Sequence, residues 1–213
     1  SEKNYHVYIT RMLNRERLNY KWQIHSYVKV LDHAFKAYLK ENPKPDVIHA
    51  MVTIPAGYAA CVLGKKYNIP VVITEHASYA KTFFEGQNKS FGLYALNNVS
   101  YFTTVSQYML EEIPETYTPK AVLPNLVNTD LFKLPRKKIN GLKLIQVCAF
   151  RKGKRIEDML KALKIIIDKK EVKNVSLTII GDGYLKKYYQ HTCHELGLDA
   201  YVNFVGRKTK KEI

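Results

Sequence analysis

Seven short apolar runs recur along the chain and predict β-strands. They are Val47–His49, Val71–Thr74, Tyr101–Val105, Ala121–Leu123, Leu142–Cys148, Val175–Ile180 and Val202–Val205. Runs of this length without strict alternation of apolar and polar residues are typical of strands buried in parallel sheets.

Helical patterns separate most of these runs. A long helix is predicted from about Asn19 to Leu39, with Pro43 beyond its end, and another from Tyr184 to Leu196. A further helix is indicated by apolar residues at helical spacing: Ile156, Met159, Leu160, Leu163, Ile166 and Ile167. The alternation predicts an α/β fold made of parallel sheets that helices cover on both faces.

The segment LPNLVNTDLF, residues 123–132, interrupts this series. Proline fixes its own backbone angle, and asparagine and aspartate close turns through their side chains. Pro124, Asn125 and 128–130 therefore predict a stiff corner. We expect two Rossmann-like domains, at residues 1–125 and 139–213, joined by a linker at 126–138 that acts as a hinge.

The last residues of the sequence predict the start of a helix, but the sequence ends before that helix is complete. Thr209 and Glu212 have the spacing of a capping box, yet the chain stops one residue later. We expect a piece of a longer protein that lacks both ends, with the first strand of the first domain missing, the second domain incomplete and the piece inactive by itself.

The chain is basic, with a formal net charge of +15, and most of the excess follows the corner. Residues 126–213 hold 20 Lys and Arg against 9 Asp and Glu. Such a half attracts phosphate groups in a nucleotide, a lipid headgroup or a nucleic acid. The alternative is that most of these lysines form a solvated surface, whatever the function of the protein.

The three cysteines are far apart and form no CxxC pair, which argues against a disulfide framework or a structural zinc site. We expect a reducing, cytoplasmic location, which is compatible with peripheral contact at the inner face of a membrane. The uncharged stretch Val47–Gly64 is interrupted by Pro55 and Gly57, so we interpret it as strand, turn and helix and not as a membrane span.

Polar residues at the ends of predicted strands are the candidates for a ligand site. Ligands of open parallel sheets bind beyond the carboxyl ends of the strands, where helix N-termini also point. In the first domain these residues are His49, Glu75, His76 and Ser106, and we expect them to line a cleft. A buried structural histidine is the alternative for His76.

In the second domain the same position holds a cationic loop and a glycine-rich turn. The loop from Arg151 to Arg155 places four cations and a glycine before a helix N-terminus, which suits a diphosphate. Gly181 and Gly183 precede the next helix and would let the backbone approach a ligand. A solvated loop and a tight strand-to-helix turn are the alternatives.

Several motifs follow one another in a specific order between about residues 46 and 206. They are DVIHA, IPVVITEH, TTVSQYM, LPNLVNTDLF, a strand with Lys and Arg before a helix, IIGDGYL and VNFVGR. Together they resemble the GT-B-fold glycosyltransferases of family four. LPNLVNTDLF is similar to the family's PNGVDxxxF segment, with Leu126 and Asn128 in place of the usual Gly and Asp.

The resemblance implies roles for individual residues. His76 matches the histidine that faces the reacting sugar and the acceptor. Lys154 matches the lysine that binds the donor phosphate, and Gly181 and Gly183 match the GxG beside the donor.

The family's phosphate motif, VGRLxxxKG, is changed in this sequence. Its Arg is Ala149, its first Gly is Cys148 and its last Gly is Arg155. Arg151 and Arg155 are the residues that could supply the missing charge.

The resemblance further implies an enzyme that transfers a sugar, with retention, from a nucleotide-sugar to a glycan or lipid-linked saccharide. It implies neither a bound metal nor another cofactor. The rival interpretation is a non-catalytic basic module that binds anionic lipid or nucleic acid. No nucleic-acid motif is recognisable, so we expect no specific nucleic-acid partner.

Overall fold

The computed structural model describes residues 6–11, 19–130, 141–169, 172, 174–209 and 212. The chain divides into two compact units, residues 1–128 and 129–213. Each unit contains one parallel β-sheet, which confirms the predicted α/β class. The predicted linker at 126–138 lies in part outside the described residues.

The first element in the described part of the first unit is a long helix, α1 (Tyr20–Glu41), which Asn19 caps by accepting a hydrogen bond from the N–H of Lys21. Its strands lie in the order β1-β2-β3-β4, and all neighbours are parallel. The elements after α1 are β1 (Ile48–Met51), α2 (Tyr58–Tyr67), β2 (Val71–Glu75), α3 (Lys89–Asn98), β3 (Tyr101–Thr104), α4 (Gln107–Glu111) and β4 (Lys120–Val122).

The second unit repeats the same alternation in a sheet of order β5-β6-β7. Its elements are β5 (Leu142–Val147), α5 (Ile156–Asp168), β6 (Val175–Ile180), α6 (Lys186–Glu195) and β7 (Val202–Gly206). All seven predicted runs are therefore strands.

The helices of the second unit cover one face of its sheet. Leu160 of α5 and Cys193 of α6 share one core with Leu177 of β6. On the other face, Ile145 and Val147 of β5 are 58% and 51% exposed. Parallel crossovers are almost always right-handed, so strands that are consecutive in both sequence and space put their helices on the same side. The expectation of helices on both faces is wrong for the described part of this unit.

The apolar stretch Val47–Gly64 divides as predicted into β1, a short turn at Thr53–Gly57 and the start of α2. Among the residues that the structure describes, no helix has both the length and the apolar character needed to cross a membrane.

Candidate functional site

A buried carboxylate joins two loops at the carboxyl edge of the first sheet. Glu75, the last residue of β2, accepts hydrogen bonds on Oε1 from the backbone N–H groups of His76, at 2.8 Å, and Ala77, at 2.7 Å. Its Oε2 accepts a third from the N–H of Thr53, at 2.7 Å, in the loop after β1. The carboxylate therefore holds both loops together and fixes the backbone of His76.

Glu75 does not line an accessible cleft, so that prediction is wrong. Its side chain is 0% exposed, and both oxygens are occupied by backbone donors. A buried charge is tolerated only when hydrogen bonds compensate it, as three do here. The period of two along a strand could have shown this, because Glu75 shares the face of Val71 and Ile73, which are buried.

His76 follows the end of β2 directly, as predicted, and is partly buried. Its Nε2 atom is buried and has no hydrogen-bond partner among the described residues. A buried polar atom without a partner is unusual in a folded protein. An atom without exposed surface cannot reach a bound molecule unless the ring shifts, so the buried structural histidine stays an alternative and the catalytic role of His76 stays a prediction.

His49 lies within β1 and not beyond its end, so its predicted place at the carboxyl edge is wrong. The strand continues to Met51, because its pairing with β2 extends past the apolar run. The Nε2 atom of His49 lies 2.7 Å from Oγ1 of Thr74. Together with Phe35 and Tyr38 it lines a mainly apolar cavity of about 460 Å³ beside α1.

Ser106 follows β3, as predicted, and caps α4. Its Oγ accepts a hydrogen bond from the N–H of Met109 at 3.4 Å, and its carbonyl accepts one from the Thr104 hydroxyl at 3.0 Å. Serine is a preferred N-cap residue, so this role accounts for its presence here. A contact with an acceptor stays a prediction.

In the second unit, the loop after β5 and the loop after β6 form one platform at the carboxyl edge of the sheet. The N–H of Cys148 donates to the carbonyl of Ile180 at 3.0 Å. The N–H of Phe150 donates to the carbonyl of Asp182 at 2.9 Å, and the Phe150 carbonyl accepts from the N–H of Leu185 at 3.3 Å. These backbone bonds hold the cationic loop and the glycine-rich turn together.

Gly181 and Gly183 make this contact between the loops possible. A Cβ at Gly181 would lie 1.8 Å from the carbonyl oxygen of Cys148, and one at Gly183 would lie 2.5 Å from that of Phe150. Gly181 also has a φ of +141°, which residues with a side chain rarely adopt. The tight turn alone therefore explains both glycines, and their contact with a ligand stays a prediction.

Lys154 lies at the carboxyl end of β5. Its backbone carbonyl accepts a hydrogen bond from Nε2 of Gln146 at 3.1 Å, which ties the loop to the strand. Burial raises the pKa of the Cys148 thiol, and the Lys154 charge acts on that pKa in the opposite direction. The ammonium group of Lys154 is thus close enough to the end of β5 to influence the pKa of the Cys148 thiol. Gln146 was not predicted, because only the fold brings it to the loop.

Arg155 differs from the other cations of this loop. Its backbone φ is +52°, a conformation that glycine adopts most readily, and the family motif has glycine at this position. Its guanidinium is paired with Asp158. Lys152 and Arg155 line a cavity of about 510 Å³ together with Tyr188. Lys154 and Arg151 do not line that cavity, so the loop does not present its four cations as one group.

The platform can attract an anion through fixed charges. Arg151 and Lys154 are exposed beside the N-terminus of α5, where the backbone amides add partial positive charge. Within the described residues, no group of three or more His, Cys, Asp or Glu side chains is arranged to hold a metal ion.

Two family models match the chain, one for each unit. The model described as Glycosyltransferase Family 4 matches residues 3–131, and the model described as Glycosyl transferases group 1 matches residues 129–213. A Methanocaldococcus jannaschii protein named as an uncharacterized glycosyltransferase is 28% identical over 177 residues, which is 81% of this chain and 47% of that protein. The chain thus spans about half the length of the curated relative that it matches.

Solved structures share the fold at low sequence identity. The lipopolysaccharide outer core galactosyltransferase WaaB is 20% identical with a TM-score of 0.56, over 89% of this chain and 50% of that one. TarM of S. aureus, solved with UDP and α-GlcNAc-glycerol, is 12% identical with a TM-score of 0.57, over 82% and 36%. A UDP-N-acetylglucosamine 2-epimerase is 12% identical with a TM-score of 0.52, over 92% and 53%. The fold alone therefore does not separate a transferase from an epimerase.

Proposed function

Because this chain belongs to Glycosyltransferase Family 4, we propose that the protein containing it transfers a sugar from a nucleotide-sugar to an acceptor. The acceptor that we propose is a glycan or a lipid-linked saccharide, and the second of these would bring the protein to a membrane. The proposal concerns the whole protein, to which this chain contributes the two sheet edges described above.

The observation that carries the proposal is the cationic platform of the second unit. When the bond between sugar and phosphate breaks, negative charge develops on the departing nucleoside diphosphate. Lys154 and Arg151, beside the N-terminus of α5, would stabilise that charge. One fixed donor of this kind contributes on the order of 3 kcal/mol to the stability of a transition state.

In the first unit we assign His76 to the reacting sugar and the acceptor. Glu75 fixes the backbone of His76, and the ring Nε2 has no partner in the described part of the chain. Once a shift of the ring exposes this buried nitrogen, a hydroxyl group of the substrate would supply the hydrogen bond that it lacks. We further propose that transfer occurs with retention and without a bound metal.

Donor binding is tested first, by calorimetric titration of the chain with UDP, GDP and ADP. We expect saturable binding of one nucleotide with weak dependence on salt. Lys154→Ala should weaken it about tenfold or more, as loss of a charged hydrogen bond predicts. Lys169→Ala removes an exposed lysine just after the C-terminal end of α5 and serves as the control. Unchanged affinity in Lys154→Ala would remove the phosphate assignment. The same titration is made with nonspecific DNA. If the chain binds DNA and no nucleotide, with an affinity that falls steeply as salt rises, the basic module is favoured.

Transfer itself is tested with the whole protein, by release of nucleoside diphosphate from a nucleotide-sugar with and without added saccharide acceptor. We expect release to require the acceptor, whereas an epimerase would convert the nucleotide-sugar alone. His76→Ala should lower the transfer rate and leave nucleotide affinity unchanged. A parental rate in His76→Ala would show that the assignment of His76 is wrong. The anomeric configuration of the product and the rate in a chelator test retention and metal independence.

A further inference from the structure

One face of α1 is exposed along its length and is basic. This face carries four lysines, two histidines and a tryptophan, and its one carboxylate lies near the helix end. The exposed residues, which we call the α1 stripe, are Lys21, Trp22, His25, Lys29, His33, Lys36, Ala37, Lys40 and Glu41. The other side of the helix packs into the first unit through Ile24, so the stripe is the surface that remains.

Most of the charge on the α1 stripe is uncompensated. Within the described residues, Lys21, Lys29 and Lys40 form no ion pair with a carboxylate, whereas Lys36 lies 3.1 Å from Asp32. At 1.5 Å per residue, the distance along the helix from Lys21 to Lys40 is about 28 Å. The stripe therefore presents positive charge on one broad face over most of the helix.

The only tryptophan of the chain lies in this stripe. Trp22 is 61% exposed, and the Nζ atom of Lys29 lies 5.9 Å from the centre of its ring. With Lys21, His25 and Ser26 they line a surface hollow of about 390 Å³. Tryptophan beside lysine is typical of the membrane interface, where the ring lies among the headgroups and the ammonium contacts phosphate.

We propose that the α1 stripe is a docking surface for the anionic headgroups of a phospholipid bilayer. Its charge is complementary to such a surface, and its exposed side chains lie along about 28 Å of one helix, which a layer of headgroups can contact. A bilayer has an apolar region below its headgroups that the Trp22 ring can enter, whereas duplex nucleic acid has none. The apolar side of α1 faces the first unit, with Ile24 in a core cluster and Phe35 against Tyr67, so attachment through the stripe is electrostatic and reversible. The proposal is independent of sugar transfer.

Binding is measured by co-sedimentation with vesicles of phosphatidylcholine alone or mixed three-to-one with phosphatidylglycerol. We expect binding to the mixed vesicles only, weaker at high salt. Each lysine near an anionic surface contributes about fivefold, so Lys21→Gln/Lys29→Gln should weaken binding about 25-fold. The matched control is Lys65→Gln/Lys89→Gln, which removes two exposed lysines of the same unit outside α1 and should change binding less than about twofold.

The emission of Trp22 identifies the surface that docks, because the chain has no other tryptophan. We expect the emission to move to shorter wavelength with the mixed vesicles and to stay unchanged with phosphatidylcholine alone. Vesicle binding that leaves this emission unchanged, or that both double variants weaken alike, would overturn the proposal and point to the basic second unit. The same emission change with duplex DNA, at equal or tighter affinity, would overturn it in favour of a nucleic acid.

Discussion

Replacement of Glu75 tests the first unit most directly. The fully buried carboxylate accepts three backbone N–H groups, at 2.7, 2.7 and 2.8 Å. In Glu75→Gln one oxygen becomes an NH₂ group, which cannot accept. The less costly orientation keeps the remaining oxygen on His76 and Ala77 and turns the NH₂ group towards the N–H of Thr53.

The expected loss of stability follows from these bonds. A hydrogen bond to a charged group contributes about 1.5–3 kcal/mol, and a buried donor without an acceptor costs about 1–3 kcal/mol. Glu75→Gln loses the bond from Thr53 and the negative charge that strengthens the bonds from His76 and Ala77. We therefore expect the unfolding free energy of the first unit to fall by about 2–3 kcal/mol. Glu75→Ala loses all three bonds, and we expect a fall of about 4–5 kcal/mol.

Urea unfolding followed by Trp22 fluorescence reports on the first unit, and hydrogen exchange reports on the amides of Thr53, His76 and Ala77. We expect these amides to exchange faster in Glu75→Gln. Glu85→Gln changes an exposed glutamate of the same unit and should shift stability by less than about 0.5 kcal/mol. If Glu75→Gln unfolds at the parental urea concentration with parental exchange at the three amides, the carboxylate does not hold the loops.

Three further changes test other parts of the structure. Gly181→Ala should destabilise the second unit by about 3 kcal/mol, measured by urea unfolding, because its Cβ would meet the Cys148 carbonyl; Gly153→Ala, with open space around it, is the control. Burial raises the pKa of Cys61 to about 12, so iodoacetamide should modify it at pH 9 only in the unfolded chain, as seen by mass spectrometry. The hydrogen bond from Lys66 lowers the pKa of Asp32 to about 2, so its contribution to stability is present above about pH 4 and is lost as the pH falls towards 2. Asp32→Asn should remove that part of the pH dependence in acid unfolding.

The strands could be predicted from the sequence because a buried parallel strand needs a continuous apolar run. Val175–Ile180 was predicted with the bounds that the structure has, and the other strands differ by at most two residues at either end. The capping box was also predicted, and Glu212 accepts a hydrogen bond from the N–H of Thr209 at 2.8 Å. Both signals are local. The covering of a sheet face depends on the spatial order of its strands, which no local pattern contains.

The candidate site was predicted less well, because its contacts join residues far apart in the chain. The bond from Thr53 to Glu75 spans 22 residues, and apolar runs could not reveal it. His49 was misplaced because its strand continues past the apolar run, through pairing with β2. The position of Lys154 at a strand end was readable from the sequence, whereas the pairing of Arg155 with Asp158 was not considered.

The carboxyl edges of the two sheets differ in whether groups that attract an anion are already occupied, and this difference predicts where a diphosphate binds. In the first unit, the buried carboxylate of Glu75 already occupies the loop amides that an external anion would use. In the second unit, the carboxylate of Asp182 accepts one backbone N–H, from Gly183, and lies 3.7 Å from Nζ of Lys186. Arg151 and Lys154 are exposed at the surface. We therefore expect UDP to slow hydrogen exchange at residues 148–155 and 181–183 and to leave 52–54 and 75–77 unchanged. Protection confined to the first unit would mean that the exposed cations of the second unit do not select the ligand.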